Sequence, residues 1–256
     1  MRTMAMGTLA MLTACSAGAA DAPGAGARTR NVAIVLYEGV EILDFAGPSE
    51  VFAAATGYAG LGDRPAFRVY TVAATKAPVT SQGFLRVTPE FSIDDAPKPD
   101  IVVIPGGDSA QLTGHPRFME WAGKAMQEAE VTLTVCTGAF VAARAGRLDG
   151  KSATTFYNAI DGLRRAAPRT TVQDGRRFVD SGDIVTTAGV SAGIDGALHV
   201  VARLVGRSAA DKTARYMEYH WSPEPYLARG YSYLNPGLDA AGRAAQQAAL
   251  VGEAKP

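Results

Sequence analysis

Short runs of β-branched and apolar residues alternate with longer segments of helical periodicity between residues 31 and 220. Runs that are apolar on both faces are typical of buried strands, and they occupy residues 31–37, 67–73, 101–104, 131–135 and 184–187. The segments with helical spacing are 49–55, 116–128, 158–167, 194–206 and 208–218. This alternation predicts an α/β domain whose doubly wound, mostly parallel sheet has helices on both faces and binds ligands at the carboxyl ends of its strands.

The composition restricts the classes of partner. The 256 residues include 25 Lys and Arg and 25 Asp and Glu, so the formal net charge is zero. Such a balance does not favour nucleic acid or a membrane surface as the main partner. No apolar run approaches the roughly 20 residues that a membrane-spanning helix requires. A small molecule is the partner that this composition leaves open.

The two ends of the chain differ from the domain. Residues 1–30 begin with Arg2 and a short apolar run, followed by Leu-Thr-Ala-Cys15 and an Ala/Gly-rich stretch. That order resembles a bacterial lipoprotein signal, which implies lipidation of Cys15, a flexible tether and export to the periplasm or a membrane anchor. The alternative is a disordered extension of a cytoplasmic protein. Residues 221–256 form a Pro/Tyr-rich segment with an Ala/Gln-rich tail.

Cys136 lies where the pattern changes from strand to helix. Residues 131–135 are apolar, and the small residues Thr137 and Gly138 precede the helical spacing. A residue at such a turn is often strained and exposed above the sheet edge, as in a nucleophile elbow. The helix that follows is expected to favour the thiolate through its dipole. The alternative is a small buried apolar residue, which is the commonest role of a free cysteine.

Two further strand ends are expected near Cys136. Strand 31–37 leads through a loop to Asp44, and strand 101–104 is followed directly by Gly106 and Gly107. Glycines there allow backbone N–H groups to approach a ligand, as an oxyanion site requires, although an ordinary turn has the same composition. Asp44 could equally cap the helix that begins near Pro48. If the three strands are neighbours, these residues converge on one site.

Several motifs, taken together, resemble the ThiJ/PfpI superfamily, which has the class I glutamine-amidotransferase-like, flavodoxin-like fold. They are Leu-Asp44-Phe-Ala-Gly-Pro48, Pro-Gly106-Gly107, Val-Cys136-Thr-Gly-Ala-Phe140, Ala-Gly-Arg-Leu-Asp-Gly-Lys151, Ala-Thr-Thr155 and Thr-Ala-Gly-Val-Ser-Ala-Gly-Ile-Asp195. The branch they resemble most is isonitrile hydratase together with the ligand domains of AraC-type regulators. The resemblance implies a homodimer without metal or organic cofactor, in which Asp44, Cys136 and Thr137 are the functional residues.

One position departs from that branch. Its Ala-Thr-Thr motif is usually followed by His-Trp, whereas Phe156 and Tyr157 stand here. The sequence contains three histidines, and none belongs to a motif that would place it beside Cys136. A Cys-His hydrolytic dyad is therefore not expected, whereas chemistry that needs only a cysteine and a carboxyl group is retained.

The resulting hypothesis is an isonitrile hydratase-like lyase in which Cys136 is the nucleophile and Asp44 the general acid and base. A carboxyl group beside a thiolate forms a like-charge pair, so one of the two keeps its proton. Two alternatives remain: an exported module that binds a small molecule, and glyoxalase-like thiol chemistry on reactive carbonyls. A DNA-binding regulator is not expected, since the residues after Glu218 are too few and too rich in Pro and Tyr for a helix-turn-helix pair.

Overall fold

The computed structural model describes residues 28–59, 62 and 64–222. The predicted lipidation of Cys15, the greater part of the predicted tether and nearly all of the C-terminal segment 221–256 lie outside these residues.

Short strands and helices alternate along the described chain. The strands are β1 Arg30–Val35, β2 Phe67–Ala73, β3 Val79–Ser81, β4 Leu85–Val87, β5 Phe91–Ser92, β6 Ile101–Ile104, β7 Val131–Thr134, β8 Ser152–Ala153, β9 Thr171–Val172, β10 Phe178–Asp180 and β11 Ile184–Thr187. The helices are α1 Ile42–Ala55, α2 Ala110–Thr113, α3 Pro116–Glu128, α4 Ala139–Arg144, α5 Ile160–Ala166, α6 Ala192–Val205 and α7 Arg207–Tyr216.

The main sheet has the order β10-β11-β7-β6-β1-β2-β5. All its neighbouring pairs are parallel except β10 with β11. Its central strands are buried on both faces, which accounts for their continuous apolar composition. The predicted parallel α/β architecture is confirmed. Because β1, β6 and β7 are neighbours, the three strand ends singled out in the sequence meet at one edge of the sheet.

The helices form two groups, as a doubly wound sheet requires. One group consists of α1, α6 and α7, which contact one another, and the other runs from α2 through α3 and α4 to α5. In α3 the buried face carries Phe118, Ala122, Ala125 and Met126. None of the helices that the structure describes has the length and apolar character needed to cross a bilayer.

Two local predictions were wrong. Asp44 was placed in a loop with a possible capping role, but it lies inside the first turn of α1, whose N-cap position is occupied by Glu41. The sequence Ser208-Ala-Ala-Asp211 is of the capping-box type and predicts that Ser208 caps the last helix. Instead, α7 begins at Arg207 without a side-chain cap, and Arg207 pairs with Asp211 one turn later. The ion pair uses the carboxylate that the capping box would have needed.

Candidate active site

The thiol turn is the 3₁₀ turn Cys136–Gly138, which begins with the cysteine. β7 ends one residue before Val135, and Cys136 begins a 3₁₀ turn that precedes α4. Its φ is 57°, a left-handed conformation that L-residues other than glycine, asparagine and aspartate seldom adopt. The Cys136 N–H donates to the Ala188 carbonyl (3.1 Å), and the Thr155 hydroxyl donates to the Cys136 carbonyl (2.7 Å). The nucleophile-elbow geometry expected from the sequence is therefore present.

Asp44 has no exposed surface and is held by hydrogen bonds at both carboxyl oxygens. The Gly106 N–H donates to one oxygen at 2.8 Å, and the Val190 N–H donates to the other at 3.0 Å. The Cys136 thiol interacts with this carboxyl group, and the interaction contributes to the pKa of each. The helix turn after β1, the loop after β6 and the loop after β11 thus fix one carboxyl group beside the thiol.

Burial changes the acidity of both groups. The pKa of Asp44 is raised to about 7 in total: removal from water is the largest cause and the charge of Glu41 adds to it, while the two N–H donors oppose the shift. Burial also raises the pKa of the Cys136 thiol well above its usual range, and the charge of Asp44 is the next largest cause. The pair consequently retains at least one proton at neutral pH.

The predicted stabilisation of a Cys136 thiolate by the N–H groups that follow it is outweighed by burial and by the charge of Asp44. α4 has only six residues and begins after the 3₁₀ turn, so few aligned peptide dipoles act on the sulfur. The backbone N–H of Thr137 does favour the thiolate, but burial and the charge of Asp44 outweigh it. The raised pKa favours the protonated thiol, and Asp44 is the group placed to accept its proton.

Gly106 and Gly107 are required by close backbone packing. A Cβ atom at Gly106 would lie 2.6 Å from the Cβ of Cys136, and one at Gly107 would lie 2.3 Å from the Gly39 carbonyl oxygen. Their N–H groups are already used, since Gly106 donates to Asp44 and Gly107 donates to the Thr137 hydroxyl oxygen at 3.1 Å. The predicted oxyanion role of these N–H groups does not fit this arrangement, because neither is directed to a bound ligand.

Thr137 lies at the same strand edge. Its hydroxyl group accepts from the Gly107 N–H and donates to the Gly107 carbonyl, both at 3.1 Å. This reciprocal pair fastens the glycine loop to the thiol turn. Thr137, to which the motifs assign a functional role, therefore has a positioning role in the described contacts. Its backbone N–H also lowers the pKa of the Cys136 thiol.

Glu38 and Glu41 precede Asp44 in the same segment and are weaker candidates for the carboxyl role, and they and two of the histidines have other partners. Glu38 accepts the Thr80 N–H at 2.8 Å, and Glu41 accepts from the Gln82 side chain. His115 caps α3 by accepting the Phe118 N–H, and His199 pairs with Asp180 at 2.7 Å. The causes of the Cys136 pKa shift are burial, the carboxyl groups of Asp44 and Glu41 and the Thr137 N–H.

Three residues of the site were not identified from sequence. Val190 has a φ of 54° and presents its N–H to Asp44, and buried Thr155 holds the Cys136 carbonyl. Tyr37 donates to the Pro105 carbonyl at 3.0 Å, which supports the loop that carries Gly106. Thr155 and Val190 belong to motifs quoted above, but side-chain type alone does not reveal a backbone donor or a buried hydroxyl contact.

The donor set does not suggest a metal centre. Within the described part of the chain, no cluster of three or more His, Cys, Asp or Glu side chains is arranged to hold a metal ion. The chemistry of the site is that of a carboxyl group and a thiol that share protons beside a strained turn.

Comparison with known proteins places the chain in a family. Residues 30–203 match the DJ-1/PfpI family, and the chain belongs to that family. It is 31% identical to the isonitrile hydratase of Pseudomonas putida over 193 residues, which cover 75% of this chain and 79% of the relative. It is 26% identical over 189 residues to the HTH-type transcriptional regulator GbdR of Pseudomonas aeruginosa, of which it spans about half the length (50%).

A solved structure extends the comparison. The chain resembles a ThiJ/PfpI family protein from Pseudomonas syringae with a TM-score of 0.71 and 26% identity, covering 88% of this chain and 87% of that one. The family and the class I glutamine-amidotransferase-like fold inferred from the motifs are confirmed. The family contains enzymes and regulators, so the comparisons leave the specific reaction to be proposed.

Proposed function

We propose that the protein is an isonitrile hydratase-like lyase that adds water to R–N≡C and releases an N-substituted formamide. The observation that carries this proposal is the buried Asp44 carboxyl group, fixed by two backbone N–H groups and electrostatically coupled to the Cys136 thiol. The similarity to the Pseudomonas putida isonitrile hydratase supports the same reaction class.

The first step forms a covalent thioimidate. Asp44 accepts the proton of the Cys136 thiol and delivers it to the terminal carbon of the isonitrile, while the sulfur bonds to that carbon. The product is R–N=CH–S–Cys136, so one C–H and one C–S bond form and the S–H bond breaks. A carboxyl group whose pKa is about 7 can accept and donate a proton at neutral pH.

The second step releases the cysteine. Asp44 removes a proton from water as the oxygen adds to the thioimidate carbon, and the nitrogen takes up a proton. Collapse of R–NH–CH(OH)–S–Cys136 breaks the C–S bond, yields R–NH–CHO and returns a proton to the sulfur. The net reaction adds one water to one isonitrile and uses no metal or organic cofactor.

The test is formamide formation from cyclohexyl isocyanide by the full-length protein. We expect turnover by the wild type and a loss of at least about a hundredfold in Cys136→Ala and in Asp44→Ala, since each removes a reacting group. Glu38→Gln is the matched carboxyl control, because its carboxylate is bound to the Thr80 N–H, and it should retain activity. Equal turnover in Cys136→Ala and wild type would exclude the mechanism.

A binding module without turnover is the second candidate. It is favoured by the similarity to the regulator GbdR, part of whose length the chain matches. A wild type that forms no formamide but binds cyclohexyl isocyanide or its formamide reversibly would support this candidate. Reaction of Cys136 with glyoxal in the same preparation would instead support thiol chemistry on reactive carbonyls.

We also propose that the protein is exported as a lipoprotein and acts as a homodimer. The lipobox-like Leu-Thr-Ala-Cys15 supports the first proposal. Palmitate labelling of the wild type that disappears in Cys15→Ala would confirm it, whereas label on both proteins or on neither would contradict it. The homodimer is tested by light scattering after size-exclusion chromatography, which gives the mass of the protein in solution.

A further inference from the structure

A cavity of about 150 Å³, partly open to solvent, lies beside the thiol turn. It is lined by residues 154–157, 174–177 and 188–191 together with Ile160. Two of its wall residues also belong to the catalytic surroundings: Val190 donates to Asp44, and Thr155 donates to the Cys136 carbonyl. The mechanism above accounts for the reacting atoms but does not use this space.

Phe156 lines the cavity and lies near Gly189 on the side of the Cys136 sulfur. A Cβ atom placed on Gly189 would lie 2.4 Å from a ring carbon of Phe156 and 3.4 Å from the Cys136 sulfur. The ring and the sulfur are therefore close to the same point in space, and Gly189 leaves that point free of a side chain. Both Phe156 and Gly189 line the cavity. Phe156 is thus the side chain best placed to limit what extends from the sulfur into the cavity.

The cavity wall is apolar near the thiol and has little net charge. Phe156 packs edge-to-face on Tyr157, with ring centroids 4.5 Å apart, and Ile160 and Val190 continue this surface. The charged lining residues balance one another: Arg177 forms an ion pair with buried Asp195, and Asp174 and Arg176 carry opposite charges. Such a wall favours a neutral group over an ion.

We propose that this cavity receives the neutral, largely apolar substituent R of the isonitrile and that Phe156 determines how large R can be. This inference rests on the proposed function and adds the substrate class to it. With the terminal carbon at the sulfur, R extends past Gly189 along the Phe156 ring. Phe156 is a specificity-determining residue, and the hydration step itself does not require it.

The first test compares substrates of different size and charge with the full-length protein. In Phe156→Ala we expect kcat/KM for adamantyl isocyanide to rise about tenfold relative to methyl isocyanide, which is the scale at which pocket size discriminates substrates. The exposed residue Phe84 supplies the matched control, and Phe84→Ala should leave the ratio unchanged. Neutral methyl isocyanoacetate should be preferred to isocyanoacetate. Equal changes in kcat/KM for adamantyl and methyl isocyanide in Phe156→Ala would overturn the proposal. A preference for isocyanoacetate over its methyl ester would also overturn it.

A pair of variants tests the contact between Gly189 and Phe156. Gly189 does not have a positive φ, so its backbone accepts alanine, but the new methyl group must displace the Phe156 ring. We expect Gly189→Ala to lower kcat/KM for cyclohexyl isocyanide about tenfold and Phe156→Ala, added to it, to restore most of that loss. Additive losses would contradict the proposed contact.

Alkylation of Cys136 separates this inference from the proposed function. Rates with iodoacetamide and with N-benzyl iodoacetamide are followed by the mass of the peptide that contains Cys136, a readout that needs no hydration. If no isonitrile is hydrated but Phe156→Ala accelerates the benzyl reagent more than the small one, the cavity assignment stands and the reaction is wrong. An unchanged ratio of the two rates would overturn the role of Phe156 whatever the reaction is.

Discussion

The hydroxyl group of Thr155 donates to the carbonyl oxygen of Cys136 across 2.7 Å, with both residues buried. This contact links the segment after β8 to the residue that carries the thiol in a left-handed conformation. A strained backbone persists only where its surroundings hold it, and Thr155 supplies one of those restraints.

Thr155→Val is therefore expected to lower both stability and turnover. The variant leaves a buried carbonyl without its hydroxyl donor, which costs about 1–3 kcal/mol of unfolding free energy. Thr155→Ser keeps the donor and is the matched control. Urea unfolding and formamide production from cyclohexyl isocyanide measure the two effects. Equal stability of the Val and Ser variants would show that the hydrogen bond does not hold the turn.

Val190→Gly should stabilise the protein. Val190 is β-branched, has a φ of 54° and is partly exposed, so its conformation costs about 1–2 kcal/mol while its side chain contributes little burial. The glycine variant relieves that strain and keeps the N–H that binds Asp44. Val190→Ala retains the strain and serves as control in the same urea titration. A glycine variant no more stable than the alanine variant would contradict the assigned strain.

The stability of the protein should fall as pH rises from about 4 to about 7, because of Asp44. Its pKa is near 3.8 when unfolded and about 7 when folded, so the folded state binds the proton more tightly over this range. Stability is fully present below the lower value and is lost as pH rises through the upper one, by roughly 4 kcal/mol in total. Asp44→Ala should flatten this slope in urea unfolding measured at pH 4, 5.5 and 7.5. An unchanged pH dependence of stability in Asp44→Ala would mean that a group other than Asp44 causes it.

The same pair predicts the pH dependence of turnover. The reactive form contains one proton shared by Asp44 and Cys136, and it accumulates once the doubly protonated form loses a proton near pH 7. The rate should therefore rise through about pH 7 and then level, because the thiol pKa lies far above that value. A rate that falls above pH 7 would mean that the doubly protonated pair is the active one.

Gly106→Ala should abolish activity and destabilise the fold. Its Cβ atom would lie 2.6 Å from the Cβ of Cys136 and 2.7 Å from the Thr137 nitrogen, distances that only backbone movement can relieve. Such overpacking costs about 1–3 kcal/mol or more. The matched control is Gly123→Ala in α3, where no atom lies within 4 Å of the added methyl group and alanine should stabilise the helix by about 0.5–1 kcal/mol. Wild-type stability and turnover in Gly106→Ala would contradict the packing described here.

The sequence was sufficient for the sheet because each central strand is buried on both faces and so has a continuous apolar composition. The position of Cys136 after β7 and of Gly106 after β6 followed from the same pattern. The strand ends could be expected to meet because parallel strands bring their carboxyl ends to one edge of the sheet.

The contacts within the site could not be read from the same pattern. Asp44 accepts N–H groups from Gly106 and Val190, which are 62 and 146 residues away in the chain, and backbone donors have no side-chain signature. The thiol pKa depends on burial and on the charge of Asp44, which local composition does not report. The motifs therefore identified the reacting residues, while their protonation and support required the assembled fold.

The most direct test of the central claim is rapid-quench mass spectrometry of the full-length protein mixed with cyclohexyl isocyanide. We expect a transient adduct on the peptide that contains Cys136, heavier than the free peptide by the mass of one isonitrile. This adduct should decay as the formamide appears. Asp44→Ala should form neither species at a comparable rate. Formamide produced without any adduct on Cys136, or a wild type that gives neither adduct nor formamide, would contradict the account.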